Sequence, residues 1–227
     1  QEVPSMPVGS TELRPHRLHV GLFDIKGDKL SRRTSVELDV AGALTEVTEL
    51  ASQKLADLVL INDKDQTYAK LRFDDRSITT MKSHLGNLDD SLARGLIWAS
   101  LWDSCRDGEL STSDYVTIAL NALKTESDIS IVAATYLQFE TAIWAYANPA
   151  KRDALRTQVA DATAAMLAAA APGSDHQMQF AKTFANNAIT PAHLEKIKAI
   201  LSGSENGLVL DADLRWYVFL CGVKRGV

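Results

Sequence analysis

The chain has 227 residues, of which 46% are hydrophobic and 23% are charged, with 24 basic and 29 acidic side chains and a formal charge of −5. These proportions indicate a globular protein with one or two cores, and they exclude a disordered tail, a collagen-like repeat and a disulfide-stapled miniprotein. No apolar run reaches about 18 residues, and no basic block is present. We therefore expect neither a membrane nor a nucleic acid as partner.

The composition changes near residue 75. Alanine occurs five times up to Asp75 and 25 times from Arg76 onward, and all four tryptophans lie after this point. Alanine favours helices, whereas the β-branched residues of the first part favour pleated sheets. The composition therefore predicts an α+β protein in two domains, with residues 1–13 as a connector, 14–75 as a β domain and 76–227 as a helical domain.

Residues 14–75 have the alternation of half-buried strands. Apolar and polar side chains alternate over 18–23, 36–40 and 69–73, and 58–61 is a short apolar run. Turn signals such as Gly27-Asp28 separate these segments. Five to seven short strands in about 60 residues predict a small antiparallel β-sandwich.

Residues 76–227 contain a series of helix starts and stops. Capping side chains or a first-turn proline precede apolar helical patterns, and glycine or proline follows them. About seven helices with short connections must pack as antiparallel neighbours. We expect an all-α array of antiparallel helix pairs, superhelical and repeat-like, although no fixed sequence period is present. The starts are Asp89 or Asp90, Ser111, Thr125–Asp128, Pro149, Ser174, Thr190 and Asp211; the stops are Gly108, Pro172-Gly173 and Gly203.

Candidate catalytic and metal-binding patterns are scarce. No His-Glu-x-x-His, Gly-rich phosphate loop, Gly-x-Ser-x-Gly or Cys-x-x-Cys occurs. His16 and His19 are three apart on a predicted strand, so they point to opposite faces and make a poor chelate. The oxygen-bearing residues from Asp63 to Asp74 have a spacing similar to that of a calcium-binding loop. Tyr68 occupies the position of the turn glycine, so a hairpin turn is the favoured interpretation. We assign no catalytic and no metal-binding residue.

The remaining polar and thiol groups have structural interpretations. Charge clusters at 151–153 and 196–198 are typical of solvated helix faces. Cys105 and Cys221 lie in apolar helical patterns, so we expect buried, reduced thiols. With no apolar leader segment in the first 20 residues, these thiols predict a cytoplasmic location.

Five stretches, in this order, resemble the region that follows the catalytic domain in aminopeptidase N-type zinc metallopeptidases of the actinobacterial kind. The stretch at 58–70, which contains Asn62-Asp63-Lys64-Asp65-Gln66-Thr67-Tyr68, is the most specific. Together the stretches cover nearly the whole chain, from about residue 12 to 224. They are 12–18 with 21–24, 58–70, 101–103 with 106–110, 173–177 and 213–216.

The resemblance implies a layout and a role. Members of this family have an N-terminal β domain, a thermolysin-like catalytic domain, a small β-sandwich and a large helical C-terminal domain. Residues 14–75 resemble the sandwich, and 76–227 the beginning of the helical domain. The catalytic Gly-Ala-Met-Glu-Asn and His-Glu-x-x-His motifs are absent, so the chain is expected to be a fragment that is not an enzyme by itself, with zinc in a catalytic domain outside it.

The implied role is to cover the active-site chamber and to help admit and position peptide substrates. Arg106 and Arg215 are candidate contacts for a peptide carboxylate, but ion-paired structural arginines are the favoured interpretation, and the substrate-binding residues stay unknown. The expected partners are peptides and the catalytic domain of the same parent chain. Self-association through the apolar helix at 211–224 is also expected. The alternative is an independent helical-repeat adaptor that binds a protein partner.

Overall fold

The computed structural model describes residues 1–3, 9, 11–205 and 207–226. The chain divides into two compact units, Gln1–Asp103 and Ser104–Val227. Residues 4–8 and 10 of the predicted connector at 1–13 lie outside the described residues. Helix α1 begins at Asp75, after the last strand, whereas the compact units divide later, within a helix.

The first unit is built on one antiparallel sheet of three strands. The strands β1 (His16–Lys26), β2 (Lys29–Val40) and β3 (Leu58–Ile61) lie in the order β2-β1-β3. Val20 faces Val36 on one side and Ile61 on the other. The register shifts between Leu22 and Phe23. The alternating burial at the start of β1 gives way to a stretch, 20–24, that is buried on both faces.

The predicted β-sandwich was wrong in the number of strands and layers. The described residues contain one sheet, and residues 69–73 are irregular rather than a strand. The apolar residues are concentrated in one long hairpin instead of several short ones. In place of a second sheet, helix α1 (Asp75–His84) contacts β3, while Leu85 and Leu88 are buried and Leu88 forms a bridge to Leu30 of β2.

The predicted helix boundaries are confirmed by the caps. Side chains of Asp90, Ser111, Asp128, Ser174 and Asp211 each accept a hydrogen bond from a first-turn backbone N–H. The helices are α2 (Ser91–Arg106), α3 (Thr112–Ala122), α4 (Ile129–Thr141), α5 (Arg152–Ala169), α6 (Asp175–Asn187), α7 (Pro191–Leu201) and α8 (Ala212–Val223). A π-helical segment, Ala142–Tyr146, continues α4.

The second unit is an array in which alternate helices touch. Helix α6 contacts both α4 and α8, while α3 contacts α5, α5 contacts α6 and α7 contacts α8. Its core contains Tyr115, Phe139 and Phe184. Cys105 and Cys221 are buried and free, as expected. Within the described part of the chain, no helix combines the length and the apolar character that crossing a membrane requires.

Candidate functional site

The two histidines of β1 bind the loop that follows β3. His16 Nδ1 lies 2.5 Å from Thr67 Oγ1, and His19 Nδ1 lies 2.6 Å from Gln66 Oε1. Inside the loop, the Asn62 side chain accepts hydrogen bonds from the N–H groups of Gln66 and Thr67 and donates to the carbonyl of Thr67. The histidines are therefore structural. Residues 69–73 form no strand, so the predicted hairpin turn at this loop was wrong. The side chain of Asn62 closes the loop instead.

Asp63 of the calcium-like pattern is engaged in an ion pair. Its carboxylate is fully buried and accepts two hydrogen bonds of 2.8 Å from Arg32 and one of 2.8 Å from Ser35. Arg32 also donates to Asp90 at 2.6 Å, and the hydrogen bond to Asp63 is the main cause of the raised pKa of Arg32. These contacts join the sheet to the N-cap of α2 and leave Asp63 without a free position for a cation.

The donor groups of the described residues do not fit zinc. No three histidine, cysteine, aspartate or glutamate side chains of the described ranges are grouped so that they can hold a metal ion. Burial raises the pKa of Cys105 and of Cys221, which keeps both as thiols rather than nucleophilic thiolates. Among the described residues we therefore identify neither a metal site nor a cysteine nucleophile.

Large exposed apolar side chains of the second unit lie mainly on one set of helices, which we call the α4–α8 face. The described residues of α3, α5, α6 and α7 expose no large apolar side chain. Soluble domains rarely expose a large contiguous apolar patch unless it binds something. The α4–α8 face consists of Leu137, Trp144, Tyr146, Trp216, Phe219, Leu220 and Val223.

A groove of about 320 Å³ runs between α4 and α8 within this face. Leu137 and Leu220 line it together with polar groups. The hydroxyls of Tyr136 and Tyr217 form a hydrogen bond, and burial is the main cause of the raised pKa of Tyr217. The groove thus offers apolar walls and neutral hydroxyls, the mixture that ligand-binding clefts of this size present. Its remaining lining residues are Glu140, Asn186, Cys221 and Lys224.

An arginine pair lies at the π-helical end of this face. The guanidinium carbons of Arg152 and Arg156 lie 5.6 and 5.5 Å from the ring centroid of Trp144. Arg156 is 5% exposed and donates one hydrogen bond, of 3.0 Å, to the carbonyl of Asn186. The Nε of Arg152 is buried without a hydrogen-bond partner. Lys151 and Asp153 are exposed, as predicted for a solvated face at 151–153, and Arg152 is partly exposed.

The two arginines selected from the sequence do not meet in one site. Arg215 donates to the carbonyl of Leu201, 3.0 Å away, and none of the described carboxylates lies within ion-pair distance of it. Its predicted ion pair with Asp211 or Asp213 was therefore wrong. Arg106 is exposed at the end of α2. Sequence reasoning missed the arginine pair, whose only signal was the i, i+4 spacing at the start of α5.

Comparisons with known proteins agree with the resemblance seen in the sequence. The family model described as ERAP1-like C-terminal domain matches residues 58–226, which run from the start of β3 to beyond α8. An Aminopeptidase N from Streptomyces lividans is 44% identical over 222 residues, which cover 95% of this chain and 26% of that protein. The chain thus spans about a quarter of the length of this curated relative.

Proposed function

Because the chain belongs to the ERAP1-like C-terminal domain family, we propose that it is the noncatalytic C-terminal region of a zinc aminopeptidase. In this proposal the region covers the active-site chamber and helps admit and position peptide substrates. The 44% identity to an Aminopeptidase N supports the class of parent enzyme. Zinc and the catalytic residues belong to a domain outside this chain, and that domain is the principal partner.

The observation that carries the proposal is the α4–α8 face with its groove. A peptide offers apolar side chains and unpaired backbone N–H and C=O groups. In the groove, Leu137 and Leu220 can contact the apolar side chains of a peptide, and the hydroxyls of Tyr136 and Tyr217 can form hydrogen bonds with its backbone. Such a surface contributes to catalysis by excluding water and positioning the substrate, not by attacking the peptide bond.

The contacts between alternate helices support a superhelical, repeat-like array of helix pairs. In such an array α4, α6 and α8 form one layer, in which α4 and α8 carry exposed apolar side chains, and α3 and α5 belong to the other. We further propose that residues 14–75 act as the spacer that precedes this array, and that the parent enzyme is cytoplasmic. Solenoids commonly bind their ligands along one layer.

The first test of the proposal is the reading frame upstream of the codon for Gln1. We expect an in-frame His-Glu-x-x-His with a downstream glutamate, because those ligands hold the zinc of such enzymes. An upstream frame without this motif would contradict the proposal.

Kinetics of the parent enzyme test the role of the groove. We expect Leu137→Glu to raise KM for peptides of several residues and to leave a single-residue aminoacyl reporter unchanged. The reporter is too short to reach beyond the catalytic centre. Leu44→Glu is the matched control, since Leu44 is 83% exposed in the first unit. Equal effects of the two substitutions, or equal effects on both substrates, would contradict the proposal.

A further inference from the structure

Two arginines at the start of α5, the buried Arg156 and the partly exposed Arg152, have no carboxylate partner among the described residues. A guanidinium carries five N–H donors and a permanent charge. Arg156 uses one donor, toward the carbonyl of Asn186. Arg152 donates to no described residue, and among the described carboxylates none lies within 4 Å of either guanidinium. Buried arginine charges are normally paired, because an unpaired one is costly.

Structural roles account for Arg156 better than for Arg152. The carbonyl of Asn186 belongs to the last turn of α6, and it also accepts a hydrogen bond of 3.1 Å from Arg225. Arg156 and Arg225 thus satisfy the end of that helix, where cations are favourable. Arg152 lies instead at the first position of α5, directly after the turn Pro149–Lys151 that Asn148 caps, and it has no carbonyl acceptor of this kind among the described residues.

We propose that Arg152, Arg156 and Trp144 form a binding site for an oxyanion, either a carboxylate or a phosphate group. Both guanidinium groups lie over one indole ring, which holds their planar forks in place. Arginine forks of this kind bind carboxylates and phosphates through paired N–H donors. Arg152 is partly exposed, so an anion in solution can reach its guanidinium. This inference does not depend on the proposed peptidase role.

NMR of the whole chain tests the site with sodium phosphate and sodium acetate at constant ionic strength. We expect saturable shifts of the Arg152 Nε–H and Trp144 indole N–H signals. Saturation by phosphate alone would identify a phosphate site, and saturation by acetate alone a carboxylate site. Absence of a saturable shift with both anions would overturn the proposal.

Two glutamine variants separate the site from general charge effects. Arg152→Gln should weaken binding about tenfold or more, because it removes one of the two forks. Arg215→Gln removes an arginine of the same unit that contacts only a backbone carbonyl, and it should leave affinity unchanged. Arg152→Lys keeps the positive charge but loses the paired N–H donors, so its affinity for the anion should lie between that of the unsubstituted chain and that of Arg152→Gln. Equal weakening by Arg152→Gln and Arg215→Gln would overturn the proposal, and the amide spectrum verifies that each variant folds.

Discussion

Replacing Arg32 by methionine tests the buried ion pair that joins the sheet to α2. The substitution leaves the carboxylate of Asp63 with no exposed surface and only Ser35 as a side-chain partner. Removing one partner of a buried pair costs about 3–5 kcal/mol. Because the Arg32 side chain is 23% exposed, we expect the lower end, about 3 kcal/mol.

Arg17→Met is the matched control, because Arg17 also binds two carboxylates, Glu37 and Asp39, but is 61% exposed. Solvent screens an exposed pair, so this substitution should change stability much less. Hydrogen exchange of the amides of β1 and β3 measures both variants within the first unit. A loss of 3 kcal/mol appears as exchange about 100-fold faster. Equal losses in the two variants would refute the reasoning.

Four further outcomes are expected. Gly21→Ala should destabilise the first unit by about 2 kcal/mol, because a Cβ at this position would lie 2.6 Å from Cγ of Asp63. Gly95→Ala is the control, because a Cβ there enters open space within α2, and it should stabilise the protein slightly. Thermal unfolding compares the two variants. The pKa of Asp57 is lowered, chiefly by the N–H of Ile25. The stabilisation that the Asp57 carboxylate contributes to the folded state is therefore present above its unfolded pKa of about 4, and it disappears as the pH falls through the folded pKa. Acid unfolding of Asp57→Asn should accordingly depend less on pH. Sedimentation should show concentration-dependent self-association through the α4–α8 face, and Trp216→Asp should reduce it; an unchanged monomer in both chains would contradict this. Dialysis followed by metal analysis should find no stoichiometric zinc in the isolated chain, and an aminoacyl reporter should not be hydrolysed; one tightly bound equivalent would contradict this.

The helices were predictable because the signals that fix their ends are local. Ser111, Ser174 and Asp211 each cap a backbone N–H three positions along the chain, so a short window of sequence contains both partners. Helix α1 has the same kind of local cap, because Asp74 accepts a hydrogen bond from the N–H of Ser77, but Asp75–His84 is mostly polar and shows no apolar run that marks a helix. Its position became visible only from its packing against β3.

The sheet and the candidate sites depend on partners that are distant in the sequence. Arg32 meets Asp63 and Asp90, and Val20 pairs with Val36 and Ile61. Alternation marks a strand but does not choose its neighbour, so the number of layers was predicted wrongly. The stacking of Arg152 on Trp144 likewise could not be predicted from the sequence, because it depends on the relative positions of the π-helical segment and the start of α5.

Helix α2 belongs to both compact units, which decides how the chain can be dissected. The carbonyl of Ser104, in its last turn, accepts hydrogen bonds from the N–H groups of Glu109 and Leu110, and Gly108 then takes a left-handed φ of 79°. An expressed fragment that stops at Asp103 would lose the last three residues of α2 and would fray the end of that helix. A protease is expected to cut after α2, near Gly108, because a continuous helix resists cleavage within its length.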